Sequence, residues 1–495
     1  MLPPRLRTTL AALLFAAAPL LASDRPNIVI LYADDLGYGD LAIQNPASKI
    51  RTPHLDRLAR DGLRFTDAHS SSGVCTPSRY ALLTGRFHWR KFHSIVDSFG
   101  PPAFDAELTL PAMLQRQGYR TACIGKWHLG WNWDALKRPG AKPVPGTGYA
   151  PSDFDWSKPI PGGPRDRGFD YYFGDDVPNF PPYTWFENDR VLTVPSVPLQ
   201  NSAKTAEGNW ETRPGPMAPG WDFSAVMPRL TARAERWIGE QKGQAGPFFL
   251  YFPFTSPHAP IVPSPEFAGK SAAGGYGDYV EQTDAAVGRV LAALAAHGFA
   301  DNTLVIFSAD NGPERYAYER IQKFAHRSSG PLRGVKRDLW EGGHRVPFIV
   351  RWPGIVPAGK ISDALTSQVD LMATLAALTD FKLPAKSAED SYNFLPVWKS
   401  GAPGPRHTIV HNTTANGYAL RHDQWLYVAT KTGAVSAVPA WFDPANAYSP
   451  HPEPGELYDL VADLGQHHNL HASQPAKVTD LRALLEQVRA RGQVR

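Results

Sequence analysis

Two apolar, β-branched runs end in acidic residues. Asn27 to Ala33 leads into Asp34, Asp35, Leu36 and Gly37, and Thr303 to Ala309 leads into Asp310, Asn311 and Gly312. Asp34, Asp35, Asp310 and Asn311 offer oxygen ligands only, the set taken by hard cations such as Ca²⁺ or Mg²⁺, and no Cys/His cluster in the sequence points to zinc. An Asp-Asp-Leu-Gly turn also serves as an ordinary strand-ending loop and helix cap. Taken alone, the pattern leaves a cation site and a plain turn equally open.

Cys75 and Cys123 are the only cysteines. Two cysteines rule out a disulfide framework, and a lone Cys is by default a small, buried, inert residue. The surroundings of Cys75 are more specific. His69-Ser70-Ser71-Ser72-Gly73-Val74-Cys75-Thr76-Pro77-Ser78-Arg79, continuing through Leu83-Thr84-Gly85-Arg86, closely resembles the signature of the type I sulfatases, in which this Cys is oxidised to formylglycine. Gly125 to Gly130, Thr255 to Pro260, Ala309 to Gly312, Gly330 to Lys336 leading to Glu341-Gly342-Gly343, and finally Glu456 to Leu460 and His468 to Leu470 follow in the family's order. The resemblance covers most of the mature chain. It implies an α/β fold of the alkaline-phosphatase-like kind: a large mixed, mainly parallel sheet sandwiched by helices, with a smaller C-terminal antiparallel sheet plus helix.

The implied reaction is hydrolysis of a sulfate monoester to an alcohol or phenol and inorganic sulfate. A sulfate ester repels nucleophiles and its alkoxide leaves poorly, so the site must neutralise charge, supply a strong nucleophile and protonate the leaving oxygen. An aldehyde hydrate at position 75 would supply one hydroxyl to attack sulfur and a second to expel sulfate later. The resemblance implies one divalent cation, Ca²⁺ or alternatively Mg²⁺, held by Asp34, Asp35, Asp310, Asn311 and the modified Cys75, with Asp310 also accepting the attacking hydroxyl's proton. Arg79, one helical turn after Cys75, would stabilise the hydrate and the cation cluster. By motif position, Lys126 and Lys336 would face sulfate oxygens, His258 would be the general acid, and His128 would assist the second hydroxyl. His88, Arg90 and His93 are candidates for the pocket rim, read equally well as solvated helix-end charges. Ser78 is expected to support the local backbone and Cys123 to be a buried small residue.

The elements that must position these residues are legible in outline. Pro247 to Pro253 is a third apolar run, ending near Ser256, Pro257 and His258. Helical periodicity near Pro53 to Gly62, Leu108 to Gly118, Leu230 to Gln241 and Tyr279 to His297 falls between the strand-like runs, the alternation of a layered α/β core. Parallel strands of such a core deliver their acids to one carboxyl edge. Residues 131–225 are dense in Pro, Gly and aromatics and read as an elaborated loop region, in which most aromatics pack internally while Trp131, Trp133 or Trp185 are candidates for a sugar-facing platform. Beyond residue 366, a helix near Val369 to Thr379, short strands at Thr408 to His411, Tyr418 to Arg421 and Trp425 to Thr430, and an amphipathic helix over Val478 to Arg491 predict a small antiparallel sheet with a closing helix. The expected division is a signal peptide at 1–23, a catalytic domain at 24–365 and a C-terminal subdomain at 366–495.

Bulk properties bound the partners. The balance of 51 Lys and Arg against 47 Asp and Glu, +4 overall, implies no broad basic face and hence no nucleic-acid partner. Arg5 and Arg7 followed by the apolar run Leu10 to Leu21 and the small residues Ala22 and Ser23 read as an export signal, too short for a spanning helix, so export machinery is an expected partner and a stable membrane anchor is not. The product is expected in the periplasm or outside the cell, and the resemblance adds a formylglycine-generating enzyme. Export and aromatic content favour a sulfated glycan as substrate, with a small aryl sulfate as the alternative. Two rivals remain: a phosphate or phosphonate ester hydrolase of the same superfamily, disfavoured because acidic ligands for one metal only are present, and an exported glycan-binding protein with an unmodified, dead site.

Overall fold

In the computed structural model, which describes residues 25–199, 207 and 211–495, the apolar runs form the centre of a ten-stranded sheet. The expected export signal lies outside the described residues. From edge to edge the strands are Lys360–Ser362, Leu63–Phe65, Phe348–Arg351, Thr303–Ala309, Asn27–Ala33, Phe248–Pro253, Arg120–Lys126, Tyr171–Asp176, Phe186–Glu187 and Arg190–Val191. The central strands, from Thr303–Ala309 to Tyr171–Asp176, are mutually parallel. Phe348–Arg351 and the two strands at the far edge run antiparallel to their neighbours. The sheet is therefore mixed and mainly parallel, as the sequence implied.

A parallel strand buried on both faces needs continuous apolar sequence. In Asn27–Ala33, Ile28, Ile30 and Tyr32 enter the core on one face and Val29, Leu31 and Ala33 on the other, all fully buried. Helices cover both faces: Pro53–Arg60, Val226–Glu240 and Gly274–Ala296 pack on the Val29 side, and Cys75–Thr84, Leu110–Arg116 and Asp370–Leu378 on the Ile28 side. Among the described residues no helix is long and apolar enough to cross a membrane.

In the region expected to be an elaborated loop, the three candidates for a sugar-facing platform are buried. Trp131 and Trp133 are 1% and 2% exposed and Trp185 is 7% exposed. Trp131 stacks on Phe186, Trp133 meets Phe154 edge-on, and Trp185 stacks on Phe173. These rings extend the core, so they form no sugar platform: each gains more from burying its apolar area than an exposed face would give.

The C-terminal region forms an antiparallel sheet of Thr408–Thr414, Gly417–His422, Trp425–Val428 and Glu456–Asp459. Glu456–Asp459, read in the sequence only as part of a closing segment, is its fourth strand. Helix Pro475–Arg491 buries Val478, Leu481, Leu485 and Val488 against Ile409, Leu420 and Leu457 of this sheet. The same cluster takes in Ala81, Phe87 and Trp89, which ties the sheet to the Cys75 helix and its sequel.

Candidate active site

Ala33 and Ala309 are in register on adjacent parallel strands, so Asp34 and Asp310 leave the sheet side by side. The Asp310 N–H donates to the Ala33 carbonyl at 3.0 Å. Asp35 sits at φ 63°, a left-handed conformation that Asp tolerates, and its N–H donates to Asp310 Oδ1 at 3.1 Å. Asn311 Nδ2 donates to Asp35 Oδ1 at 2.7 Å. All four side chains are essentially inaccessible.

Helix Cys75–Thr84 begins at the cysteine itself and ends on Gly85 in the left-handed region. Cys75 Sγ lies 3.6 Å from Asp34 Oδ1 and 4.0 Å from Asp35 Oδ1. Burial, reinforced by Asp310, pushes its thiol well above the ordinary range. A buried thiol so disfavoured as thiolate is a poor nucleophile as encoded. Arg79 reaches Asp310 Oδ2 from Nε at 3.0 Å and from Nη2 at 2.8 Å. Ser78 donates to the Ser72 carbonyl at 2.9 Å, the expected backbone support.

The other cations arrive from separate segments. Lys126 Nζ is 2.6 Å from Asp34 Oδ2, and Lys336 Nζ is 2.7 Å from Asp35 Oδ1. Burial works against the charge on Lys336, but Asp35, Cys75 and Glu314 together raise the ammonium above its usual range. Gly125 explains why a glycine precedes Lys126: at φ 131° a Cβ would lie 1.9 Å from the Pro253 carbonyl oxygen. Gly312 is equally constrained, because a Cβ there would meet the Gly342 carbonyl oxygen at 1.9 Å, bringing the two glycine-bearing segments together.

Both histidines are held by backbone carbonyls. His258 Nδ1 is 2.5 Å from the Ala259 oxygen, and its Nε2 is 3.7 Å from Asp35 Oδ2. His128 Nε2 is 3.0 Å from the Val96 oxygen, and its buried Nδ1 has no partner. A nitrogen that donates to a carbonyl leaves the other ring nitrogen bare in the neutral ring. Burial pulls His258 down to about 3, and burial with Lys126 and Arg79 lowers His128. Both shifts favour the neutral ring.

Asp35, Cys75, His128, His258 and Lys336 line one cavity of about 300 Å³. Asp34, Arg79, Lys126, Asp310 and Asn311 are fully buried and are not among its lining residues. Oxygen or sulfur atoms of Asp34, Asp35 and Cys75 and a nitrogen of His258 all fall within 4.8 Å of one another. Asn311 Oδ1 is buried without a hydrogen-bond partner. A carbonyl oxygen left bare beside carboxylates is what an oxygen-ligated cation would use, so the residues present fit a divalent ion.

The structure also departs from the sequence reading. His88 Nε2 meets the Asn412 carbonyl oxygen at 3.0 Å, His93 Nδ1 meets Asn412 Oδ1 at 2.7 Å, and Arg90 pairs with Asp390. None of these lines the cavity; His88 and His93 join the Cys75 side of the protein to the C-terminal sheet through Asn412, and Arg90 ties it to the loop that carries Asp390. Cys123 is buried and unpaired, as expected. The absence of a Cys/His cluster in the sequence does not hold in space: His69, His344 and His411 gather in the interior, with His344 and His411 stacked at 3.4 Å between ring centres. His69 Nδ1 and His344 Nδ1 are 3.1 Å apart, and both ring nitrogens of His411 are buried without a hydrogen-bond partner.

Two groups went unread in the sequence. Behind Asp35, the Tyr276 hydroxyl lies 3.0 Å from the Asp35 carbonyl oxygen and 2.6 Å from Asp40 Oδ2, and His326 Nε2 is 2.8 Å from Asp40 Oδ1. The cavity walls add Asn179, Phe180, Glu211, Arg213 and Thr413. No motif in the sequence marks them.

A parallel sheet carrying acids and compensating cations at its carboxyl edge, with an adjoining antiparallel sheet, defines a hydrolase of the alkaline-phosphatase-like class. The sulfatase family model matches residues 26–381, and the chain belongs to the sulfatase family, whose members are sulfuric ester hydrolases. It is 34% identical over 510 residues to an N-acetylgalactosamine-6-O-sulfatase of Bacteroides thetaiotaomicron, covering 95% of this chain and 94% of the relative. It is 35% identical to arylsulfatase A of Bos taurus over 92% of this chain and 85% of that protein. A solved 6S-sulfatase from the glycosaminoglycan metabolism of B. thetaiotaomicron superposes with a TM-score of 0.79 at 32% identity, covering 94% of this chain and all of that one. The phosphonate monoester hydrolase of Agrobacterium radiobacter, at 19% identity and a TM-score of 0.59, shares the fold.

Proposed function

We propose that this protein hydrolyses sulfate monoesters on carbohydrates, with Cys75 converted to formylglycine and one divalent cation, Ca²⁺ in preference to Mg²⁺, held by Asp34, Asp35, Asp310, Asn311 and residue 75. The observation that carries this reading is the place of Cys75: the first residue of its helix, within 4.0 Å of the Asp34 and Asp35 carboxylates, on the floor of the cavity. As a thiol it is inert there; as an aldehyde hydrate it offers geminal hydroxyls for attack and release. The cation, when bound, supplies Lewis-acid stabilisation of a hydroxyl and of sulfate charge.

The chain's own groups do the rest. Lys126 and Lys336 present point charges toward the anion, and Arg79 holds Asp310 and Asp34 in place from below. Asp310 accepts the attacking hydroxyl's proton. As the bond from sulfur to the alcohol oxygen breaks, that oxygen takes a proton from His258, whose protonation the arriving anion favours. His128, with a bare Nδ1, takes the proton of the second hydroxyl as sulfate leaves. Water restores the hydrate, so ester and water give alcohol and sulfate.

The names of the relatives support a 6-sulfated amino sugar as substrate. The reading requires two partners, a formylglycine-generating enzyme and export machinery, and places the mature protein in the periplasm or outside the cell. The deciding experiment is mass spectrometry of the Cys75 peptide from the native host, together with turnover of sulfated sugars. An unoxidised thiol throughout an active preparation defeats the mechanism.

A further inference from the structure

Three histidines that the bond-breaking chemistry does not use meet where the chain leads into Cys75. His69 ends the strand Ala68–His69, His344 ends the short helix Glu341–His344, and His411 lies in strand Thr408–Thr414 of the C-terminal sheet. None of the three is exposed. The Ser70 N–H donates to the His344 carbonyl at 2.9 Å, and the Ser72 hydroxyl donates to the Asn412 carbonyl at 2.8 Å, so the Cys75 leader runs along both other segments.

The outer nitrogens of two rings are already engaged. His69 Nε2 is 2.8 Å from Asp67 Oδ1, and His344 Nε2 is 3.3 Å from the Leu339 carbonyl oxygen. Both oxygens accept, so each Nε2 carries the hydrogen and each neutral ring leaves its Nδ1 bare. Those two Nδ1 atoms face each other at 3.1 Å. Two lone pairs repel at that range, but two nitrogens bound at ~2.1 Å to one tetrahedral zinc lie roughly 3.4 Å apart. His411 adds two buried nitrogens without a partner, and one nitrogen from each ring falls within 4.8 Å of the others. His411 stacks on His344, yet no hydrogen bond fixes its ring, which can turn about Cβ–Cγ to aim a nitrogen at an ion.

A proton shared between His69 and His344 would relieve their contact and leave His411 bare, whereas one ion engages all three rings. Unpaired buried nitrogens are costly, so the arrangement that satisfies the third ring is favoured. Burial pulls His344 down to about 3 and lowers His411 as well, and the neutral ring is the form that ligates. Asp67 and Glu341 are matched by Arg345 and Arg421. The ion's charge therefore falls to the imidazoles, of which His69 is made more basic by Asp67.

We propose that His69, His344 and His411 bind one transition-metal ion, Zn²⁺ by the chemistry of its ligands, at a structural site separate from the oxygen ligands of Asp34 and Asp35. Three imidazoles suit zinc and are poor ligands for Ca²⁺ or Mg²⁺. The fourth position is left to water or to Glu341 Oε1, which is buried without a partner. A site with no exposure takes its ion during folding, as the C-terminal sheet docks. The ion then staples that sheet to the segment that delivers Cys75. This inference does not depend on the sulfate chemistry.

The test uses the full mature chain produced in zinc-supplied and zinc-depleted medium and purified in excess Ca²⁺, which keeps zinc from the oxygen site. Elemental analysis of the zinc-supplied protein should find about one zinc per chain, and diffraction at the zinc absorption edge should place an anomalous peak among the three imidazoles. The thermal midpoint should rise by about 5 °C or more with zinc in the wild type and stay unmoved in His411→Gln. His411→Gln should lose the zinc and still bind Ca²⁺. Wild type holding less than about 0.1 equivalent after growth in zinc overturns the inference, with the rings then sharing only a proton. Equal zinc in wild type and His411→Gln overturns it too, since the ion then sits elsewhere. Where His411→Gln does not fold, the wild-type anomalous map decides: a peak away from the histidines, or none, defeats the site.

Discussion

Arg79 Nη2 lies 2.8 Å from Asp310 Oδ2 and 3.5 Å from Asp34 Oδ1. One guanidinium thus joins the first turn of the Cys75 helix to the ends of two parallel strands, with no solvent around any of the three groups. Arg79→Lys keeps the charge but loses the planar fork, and kcat/KM should fall by about 100-fold or more, because a positioned charge in a dry site is worth several kcal/mol to the transition state. Arg79→Ala should also unfold more easily, by about 3–5 kcal/mol, since it strands buried carboxylates. Steady-state kinetics and denaturant titration separate the two effects; wild-type rates in Arg79→Lys would remove the fork from the mechanism.

Tyr276 bears on the proposed cation site through Asp35. Its hydroxyl lies 3.0 Å from the carbonyl oxygen of that left-handed residue. Tyr276→Phe should weaken Ca²⁺ binding about tenfold, the usual scale for a group that orients a metal ligand. Calorimetric Ca²⁺ titration reads this directly, and at saturating Ca²⁺ the variant's kcat should recover most of its loss. Unchanged affinity would leave Tyr276 with a packing role only.

The proposed acid, His258, should matter most where the leaving oxygen most needs a proton. His258→Gln should lower turnover of alkyl and sugar sulfates by about 100-fold to 10,000-fold and that of activated aryl sulfates far less. Rates across a series of aryl leaving groups give the comparison. Equal losses for good and poor leaving groups would assign the proton to another donor.

Asp67 sets an acid limit on stability. Burial opposes its charge, but Arg345, Arg421 and His69 overcome that and hold the carboxyl far below its usual value. Arg421 Nη2, on the C-terminal sheet, is 2.7 Å from Asp67 Oδ2. Because the folded-state value is depressed, the stabilisation is complete above the unfolded value of about 4 and is lost as pH falls toward the folded one. Asp67→Asn should cost about 3–5 kcal/mol near neutrality and flatten the decline of stability below about pH 4. Urea unfolding at stepped pH measures both; a variant that declines as steeply as the wild type would show that other carboxylates set the limit.

The sequence alone determined the elements whose signals are local. Asn27–Ala33 and Thr303–Ala309 are strands because unbroken β-branched apolar runs suit a doubly covered sheet, and the residues after them inherit the carboxyl edge. The string around Cys75, with Lys126, His128, His258 and Lys336 in their segments, identified the floor of the site before any contact was visible. Tertiary structure decided everything that depends on which distant segments meet. Composition placed Trp131 and Trp133 in an aromatic-rich region, but only packing against Phe186 and Phe154 turned a possible platform into core. Glu211 and Thr413 share a wall across some 200 residues of chain, as do Asp67 and Arg421 a buried pair. Periodicity tells a residue which face of its own element it occupies. It carries no information about the element opposite, and burial and ion pairing are properties of that opposing surface.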